Sequence, residues 1–261
     1  MPQGAAIAEP DGSAIEMEWS DEAVILSAKA HGETSLILEV LTRAHGRHLG
    51  IVRGGRSRRQ APSMQPGNLA EVTWRARLES HLGTFTVELR ELRAAAMLGS
   101  PAALYAFATL SAHLRLLAER EPHPSLYDAL CILGEHLGEP AIAAPLILRF
   151  ELALLAELGF GLDLSRCAAT GSRQDLAFVS PTSGRAVSAA AGEPYKDKLF
   201  ALPAFLVEGQ GRPLPRADEI AEGFRLTAFF LARHVHEPRG VEMPEARLRF
   251  LDLALAALAA T

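Results

Sequence analysis

Val72-Thr73-Trp74-Arg75-Ala76-Arg77-Leu78 sends Val72, Trp74, Ala76 and Leu78 to one side of an extended chain and Thr73, Arg75 and Arg77 to the other, because side chains alternate along a strand. The same period of two runs upstream, where Leu36, Leu38 and Val40 alternate with Ile37, Glu39 and Leu41, and downstream, where Phe85, Val87 and Leu89 alternate with Thr86, Glu88 and Arg90. Turn residues bound these runs at His31-Gly32, His45-Gly46, Pro66-Gly67-Asn68 and His81-Leu82-Gly83. The pattern predicts five strands, over 23–30, 34–42, 47–53, 68–79 and 83–92. So small a meander leaves bare edges unless it closes, and a five-stranded barrel of the OB type is the economical closure. Trp74 shares its face with Val72 and Leu78, and Phe85 with Val87, so both aromatics read as barrel core.

After Gly99 the period becomes helical. Ser100-Pro101 is a cap followed by proline at the first helical position, and Leu104, Phe107, Leu110, Leu114 and Leu117 recur every three to four residues. Ser125 is placed to cap a second helix ending before Gly138 and Pro140, and a third runs from Ala141 to Leu158 with Gly159 as its stop. Two more cover 216–236 and 244–259, the last with Leu248, Leu251, Leu255 and Leu258 as its apolar stripe. Residues 160–215, rich in Gly, Pro and Ser, read as an irregular insertion with a small hairpin pairing 177–179 with 185–187. The fold class is therefore α+β and multi-domain: a leader over 1–16, a barrel over 17–95, a helical domain over 96–164 and 216–261, and an insertion over 165–215. Residues 1–16 lack a basic or apolar signal region, and Met17 stands as an alternative start. The most apolar stretch, Leu146 to Leu158, is broken by Arg149, Glu151 and Glu157, so no membrane span is expected. The two cysteines, Cys131 and Cys167, suggest no disulfide framework, which makes the cytoplasm the default compartment.

Charge is unevenly spread. Residues 43–77 hold Arg43, Arg47, Arg53, Arg56, Arg58, Arg59, Arg75 and Arg77 against the single acid Glu71, a local +7 in a chain of −5 overall. Arg53-Gly54-Gly55-Arg56-Ser57-Arg58-Arg59 falls in the connection between the third and fourth strands, and Arg75 and Arg77 project from the outer face of the fourth. Clustered guanidinium groups attract phosphates by steering and counterion release, whatever the charge of the whole chain.

Catalytic constellations are absent. There is no G-x-S-x-G elbow, no phosphate-cradling G-x-x-x-x-G-K-[ST] and no H-E-x-x-H. His31, His45 and His48 sit with barrel turns and read as caps or contacts to solvent or phosphate, while His234 and His236, two apart on a helix, point to opposite sides. Asp218, Glu219, Glu242 and Glu245 lie at helix starts, where negative charge is favourable. Cys167-Ala168-Ala169-Thr170 has the spacing of a C-x-x-C knuckle without its second thiolate, and Ser188-Ala189-Ala190-Ala191 has that spacing with neither. One cysteine cannot hold a tetrahedral zinc, so no metal and no cofactor are expected.

Read together, several stretches resemble the bacterial recombination mediator RecO family. They are Trp19-Ser20-Asp21-Glu22-Ala23-Val24-Ile25-Leu26, His31-Gly32-Glu33-Thr34-Ser35, Gly46-Arg47, Val52-Arg53-Gly54-Gly55-Arg56, Gln65-Pro66-Gly67-Asn68, Leu158-Gly159-Phe160, and Val179-Ser180-Pro181 with Ser183-Gly184-Arg185-Ala186. The resemblance implies an OB-fold followed by a helical domain with an inserted knuckle, which here is degenerate: Cys167 matches the first cysteine of zinc-binding members, and Thr170, Ser188 and Ala191 replace the others. It further implies a mediator of the RecF repair pathway that binds single- and double-stranded DNA, anneals strands, contacts the acidic tail of the single-strand-binding protein, and acts with RecR so that RecA loads.

The residues expected to touch DNA are Arg47, Arg53, Arg56, Arg58, Arg59, Arg75 and Arg77, and the tail is expected in an apolar groove beside Arg115, Arg149, Arg225 or Arg233. With few exposed aromatics on the barrel, contact rests on arginine–phosphate pairing, with weak sequence preference and a steep salt dependence. The rival readings are an OB scaffold for structured RNA and a thiol enzyme built on Cys167; a non-enzymatic role is expected.

Overall fold

A computed structural model of the protein describes residues 17–207 and 215–260, so the expected leader lies outside the described residues. Five strands, β1 (Met17–His31), β2 (Ser35–Thr42), β3 (Gly46–Val52), β4 (Leu69–Ala76) and β5 (Thr84–Glu91), close in the order β1-β2-β3-β5-β4. All neighbours are antiparallel except β3 and β5, which meet in parallel at Ile51 and Thr84. Closure depends on β1. Its first half pairs with β4, its second half pairs with β2, and a register shift between Ile25 and Ser27 bends it from one partner to the other. The strand begins at Met17 rather than residue 23, because Trp19-Ser20-Asp21-Glu22 pairs with β4 despite its polar side chains.

Ile25, Leu38, Val40, Val72, Trp74 and Phe85 fill the barrel. The opposite faces of β1 and β2 are also covered: Val24, Leu26 and Leu41 join the core of the helical domain. That explains the near-continuous apolar runs Ala23–Leu26 and Leu36–Leu41, since strands buried on both faces lose their alternation.

The helical domain starts with a short α1 (Ala94–Leu98), an element additional to the expected helices that spans the expected boundary at 95/96. Next come α2 (Pro101–Leu114), α3 (Pro124–His136) and α4 (Pro140–Glu157). Ser100 caps α2 by accepting the Ala103 N–H at 3.2 Å. Ser125 caps nothing; α3 starts one residue earlier at Pro124, with no side-chain cap. The insertion is more regular than expected. β6 (Leu176–Val179) pairs with both β7 (Ala186–Ser188) and β8 (Phe200–Ala201), and between them lie α5 (Ala189–Gly192) and a 3-10 turn.

The expected helix over 216–236 divides into α6 (Ala217–Leu231) and a π turn over Ala232–His236, followed by α7 (Glu237–Arg239) and then α8 (Glu245–Ala259). α8 is rotated relative to its leucine stripe. Arg247, Phe250 and Ala254 are its buried positions, Leu251, Leu255 and Leu258 are half-buried, and Leu248 is 58% exposed. α4 runs through the middle of the bundle against α2, α3, α6 and α8.

Arg247 faces inward because of Glu151, which is fully buried on α4. Its carboxylate accepts from Arg247 Nε at 2.7 Å, from Arg247 Nη2 at 2.9 Å and from the Thr227 hydroxyl at 2.5 Å, with His113 Nε2 at 3.1 Å. Burial alone would favour the neutral acid, but Arg247 and His113 outweigh it and hold Glu151 far below the usual carboxylate range. No helix among the described residues is long and apolar enough to cross a membrane.

Candidate nucleic-acid interface

The connection from Arg53 to Asn68 is a chain of turns rather than a loose loop. Gly54 takes φ of +69°, a left-handed conformation that side chains disfavour, and its carbonyl accepts the Ser57 N–H. Arg56 ties the start to the β1–β2 turn: its N–H donates to Thr34 and its guanidinium to the carbonyls of Gly32 and Glu33 at 2.8 and 2.9 Å. Met64, 2% exposed, is packed into the barrel core. Asn68 closes the connection by donating to the Pro62 and Ser63 carbonyls while accepting the N–H of Ala94. Held at both ends, the segment displays Arg53, Arg58 and Arg59, each exposed and none with an acid or hydrogen-bond partner among the described residues.

Arg77 follows β4 in the turn to β5, exposed and likewise without an ion-pair partner among the described residues. That turn reaches the end of β3 through the Ile51 N–H bound to the Gly83 carbonyl, so Arg77, Arg53 and the Arg56-latched turn share one end of the barrel. Glu33 and Glu79 are the acids of the two short turns there, fewer than the five arginines.

Two expected members of the set are already engaged. Arg47 is 13% exposed in its side chain and pairs with Glu39 at 3.0 Å and Glu119 at 3.6 Å, while donating to the Leu117 carbonyl. The helical domain covers the outer face of β3, which turns Arg47 from a surface cation into part of the inter-domain clasp. Arg75 does project from the outer face of β4, but it makes a two-pronged bond with Glu18 at 2.7 and 2.8 Å. The extra length of β1 sets Glu18 opposite Arg75 in register.

Trp74 and Phe85 lie inside the barrel at 1% and 5% exposure, and the Trp74 indole N–H donates to the Leu82 carbonyl. His48 is a correction. It is buried against Trp19, Trp74 and Phe85, not at the surface, and burial pushes its pKa down to about 4. The signal was present in Gly46, His48, Gly50 and Val52, which alternate as inward positions of β3. Trp19 was also missed as an aromatic of this cluster; it stacks on His45 with centroids 4.0 Å apart.

Of the four cations expected near a groove, Arg115 is bound to Glu39 at 2.8 Å, Arg225 to Glu222 at 2.8 Å, and Arg233 donates to the Pro181 carbonyl. Arg149, which donates to the Phe205 carbonyl at 2.9 Å and lies over the Phe205 ring, borders an apolar cleft of about 280 Å³ between α3 and α4, floored by Ile132, Leu133, Leu146 and Phe150. Cys167 is 1% exposed, and its sulfur accepts the Ser188 N–H at 3.2 Å. Burial opposes its ionisation, but hydrogen bonds from Ser188 and Thr170 prevail and draw its pKa down to about 6. Its hydrogen-bond partners are these two residues, not a histidine.

The barrel and the bundle each match a family model. Residues 17–93 match "Recombination protein O N terminal" and residues 101–242 match "Recombination protein O C terminal". This chain belongs to the recombination protein O family. Members among the curated relatives include the DNA repair protein RecO of Mesorhizobium japonicum, 60% identical over 90% of this chain and 92% of that protein. The protein of the same name from Methylobacterium nodulans is 58% identical over 92% of this chain and 99% of its own length. The family models meet between residues 93 and 101, where α1 joins the barrel to α2.

Proposed function

We propose that this member of the recombination protein O family works in DNA repair and recombination as a non-catalytic mediator of the RecF pathway. Its barrel, used as an OB-type module, binds single- and double-stranded DNA through Arg53, Arg56, Arg58, Arg59 and Arg77. The observation that carries this reading is a connection anchored at both ends, presenting guanidinium groups that no carboxylate among the described residues neutralises. Such contacts read phosphates rather than bases, so they accept either strand form and leave base edges free to pair, which suits strand annealing.

The cleft beside Arg149 suits a short acidic peptide with apolar side chains, the chemistry of the single-strand-binding protein's tail. Action with RecR, and through it the loading of RecA, completes the proposed role in the bacterial cytoplasm. We read the insertion as a knuckle that folds on its own packing, around Cys167 and the small sheet, without zinc or another cofactor.

The test is an Arg53→Ala/Arg58→Ala/Arg59→Ala variant assayed by anisotropy and by annealing of complementary oligonucleotides across a salt series. Loss of three phosphate contacts lowers the log–log salt slope by about 2 to 3 and weakens binding at moderate salt by at least tenfold. Wild-type affinity and slope in the variant would remove the assignment. Competition between single-stranded DNA and a structured RNA separates this reading from that of an RNA scaffold.

A further inference from the structure

The barrel offers no open aromatic face, because Trp74 and Phe85 are interior and Trp19 is half-covered by His45. Open aromatics are found instead on the helical domain. Phe230 and His234, four apart and so on one helical face, stack with centroids 6.0 Å apart and planes 13° from parallel. Phe160 lies on His234 at 5.1 Å and 16°. The innermost ring, Phe230, is 2% exposed, His234 is half-buried, and Phe160 is 40% exposed. One face of Phe160 rests on His234, so its exposed area lies on the other face and the edge.

The end of α4 sets the ring in place: Gly159 takes φ of +85° and the Phe160 N–H donates to the Leu155 carbonyl at 2.7 Å.

Cations accompany the stack. Arg233, beside His234 in the chain, is exposed; its guanidinium lies over the Phe229 ring and donates to the neutral Pro181 carbonyl, and no acid pairs with it among the described residues. Arg166, exposed in the loop that carries Phe160, has no partner among the described residues. Of the acids close to these positions in the chain, Asp163 pairs with Arg185 and Glu157 lies against His123, while Glu237 has no ion pair among the described residues.

We propose that Phe160, backed by His234 and Phe230 and flanked by Arg233 and Arg166, is a base-stacking ledge for single-stranded nucleic acid on the helical domain. A planar base continues a parallel stack of rings, and every base has the π-face required, so the contact is independent of sequence. An acidic peptide with apolar side chains would share the cations, but its contacts need no parallel alignment of the rings. The inference rests on the reading of this chain as a DNA-binding protein, and gives it a second strand contact apart from the arginine connection. The first surface holds phosphates; this one holds a base.

The test compares the affinity of the full chain for oligo(dT) and for an abasic deoxyribose-phosphate chain of equal length, by anisotropy. Wild type is expected to prefer oligo(dT) about fivefold to tenfold. Phe160→Leu, which keeps apolar bulk without a ring and so preserves the fold, brings that preference close to one, and Phe160→Trp retains or raises it. An unchanged preference in Phe160→Leu, or none in wild type, overturns the ledge alone. Loss of acidic-peptide binding in Phe160→Leu with the oligo(dT) preference intact also overturns it, by reassigning the surface. Failure of wild type to bind either oligomer overturns the ledge and the DNA-binding reading together.

Discussion

Arg247 shows how one side chain turns a whole helix. Leucines at 248, 251, 255 and 258 make the more apolar stripe, yet α8 buries Arg247 because it is the arginine that pairs with the buried Glu151 among the described residues. Removing one member strands a buried charge, so Arg247→Met is expected to cost about 3–5 kcal/mol in urea unfolding. The double variant Glu151→Leu/Arg247→Met should cost less than either single change, since it removes both charges. A strictly additive double would contradict this account.

His48 makes an opposite demand. Burial lowers its pKa from the ordinary 6.5 to about 4, against the opposing hydrogen bond to the Leu49 carbonyl and with Arg120 nearby acting in the same direction as burial. Above pH 6.5 the ring is neutral in both folded and unfolded chains. Below it the unfolded chain takes up a proton that the folded one refuses, so this stability is present above 6.5 and is lost as pH falls to about 4. Unfolding of wild type and His48→Phe at pH 7 and 4.5 measures the contribution, on the order of 2 kcal/mol. Equal pH dependence in the two proteins would show that the ring does not carry it.

Among the elements, the β3–β4 connection shows how irregular backbone becomes a rigid display. Met64 is its anchor, seated in the barrel core, and Arg56 and Asn68 are its ties. Met64→Ala leaves every arginine in place but is expected to cost about 2–4 kcal/mol and to free the segment. Amide exchange should rise over residues 57–64, with DNA affinity falling modestly as the arginines lose their fixed geometry. Unchanged exchange in that segment would mean that the ties alone suffice. The elements themselves were largely legible, because period two and period 3.6 survive in any half-buried strand or helix. The extension of β1 to Met17 was not, since Trp19-Ser20-Asp21-Glu22 holds a single apolar side chain with no alternation around it, and only pairing with β4 makes it a strand.

At the scale of the molecule, barrel and bundle share a core and a polar clasp. Glu39, 5% exposed on β2, accepts from Arg47, Arg115 and Ser27, and Arg43 grips Asp128 with two hydrogen bonds. Burial would raise the Glu39 pKa, but its hydrogen bonds to Arg115, Ser27 and Arg47 hold it below the usual range. Gly46, at φ +66°, lies so close to the Glu121 carbonyl that any Cβ would collide with it. Glu39→Ala leaves Arg47 buried beside a lost partner, and is expected to cost about 3–5 kcal/mol and to split a single calorimetric transition into two. One unshifted transition would show that the apolar contact carries the interface without the clasp.

Local patterning along the chain specifies a five-stranded β region, a helical region after it, and the position of an arginine-rich connection between the third and fourth strands. Those features are written in local periodicity, turn residues and charge, which act between near neighbours in the chain. Which cations lack an acid among the described residues depends on long-range packing. Arg47 and Arg75 are distinguished from Arg53, Arg58, Arg59 and Arg77 by Glu39, Glu119 and Glu18, which fold beside the first two and not the others. The inward Arg247 and the stacked Phe160 belong to the same class. Their partners come from distant segments, and a Coulomb pair or a ring stack exists only once packing brings both halves within a few ångströms.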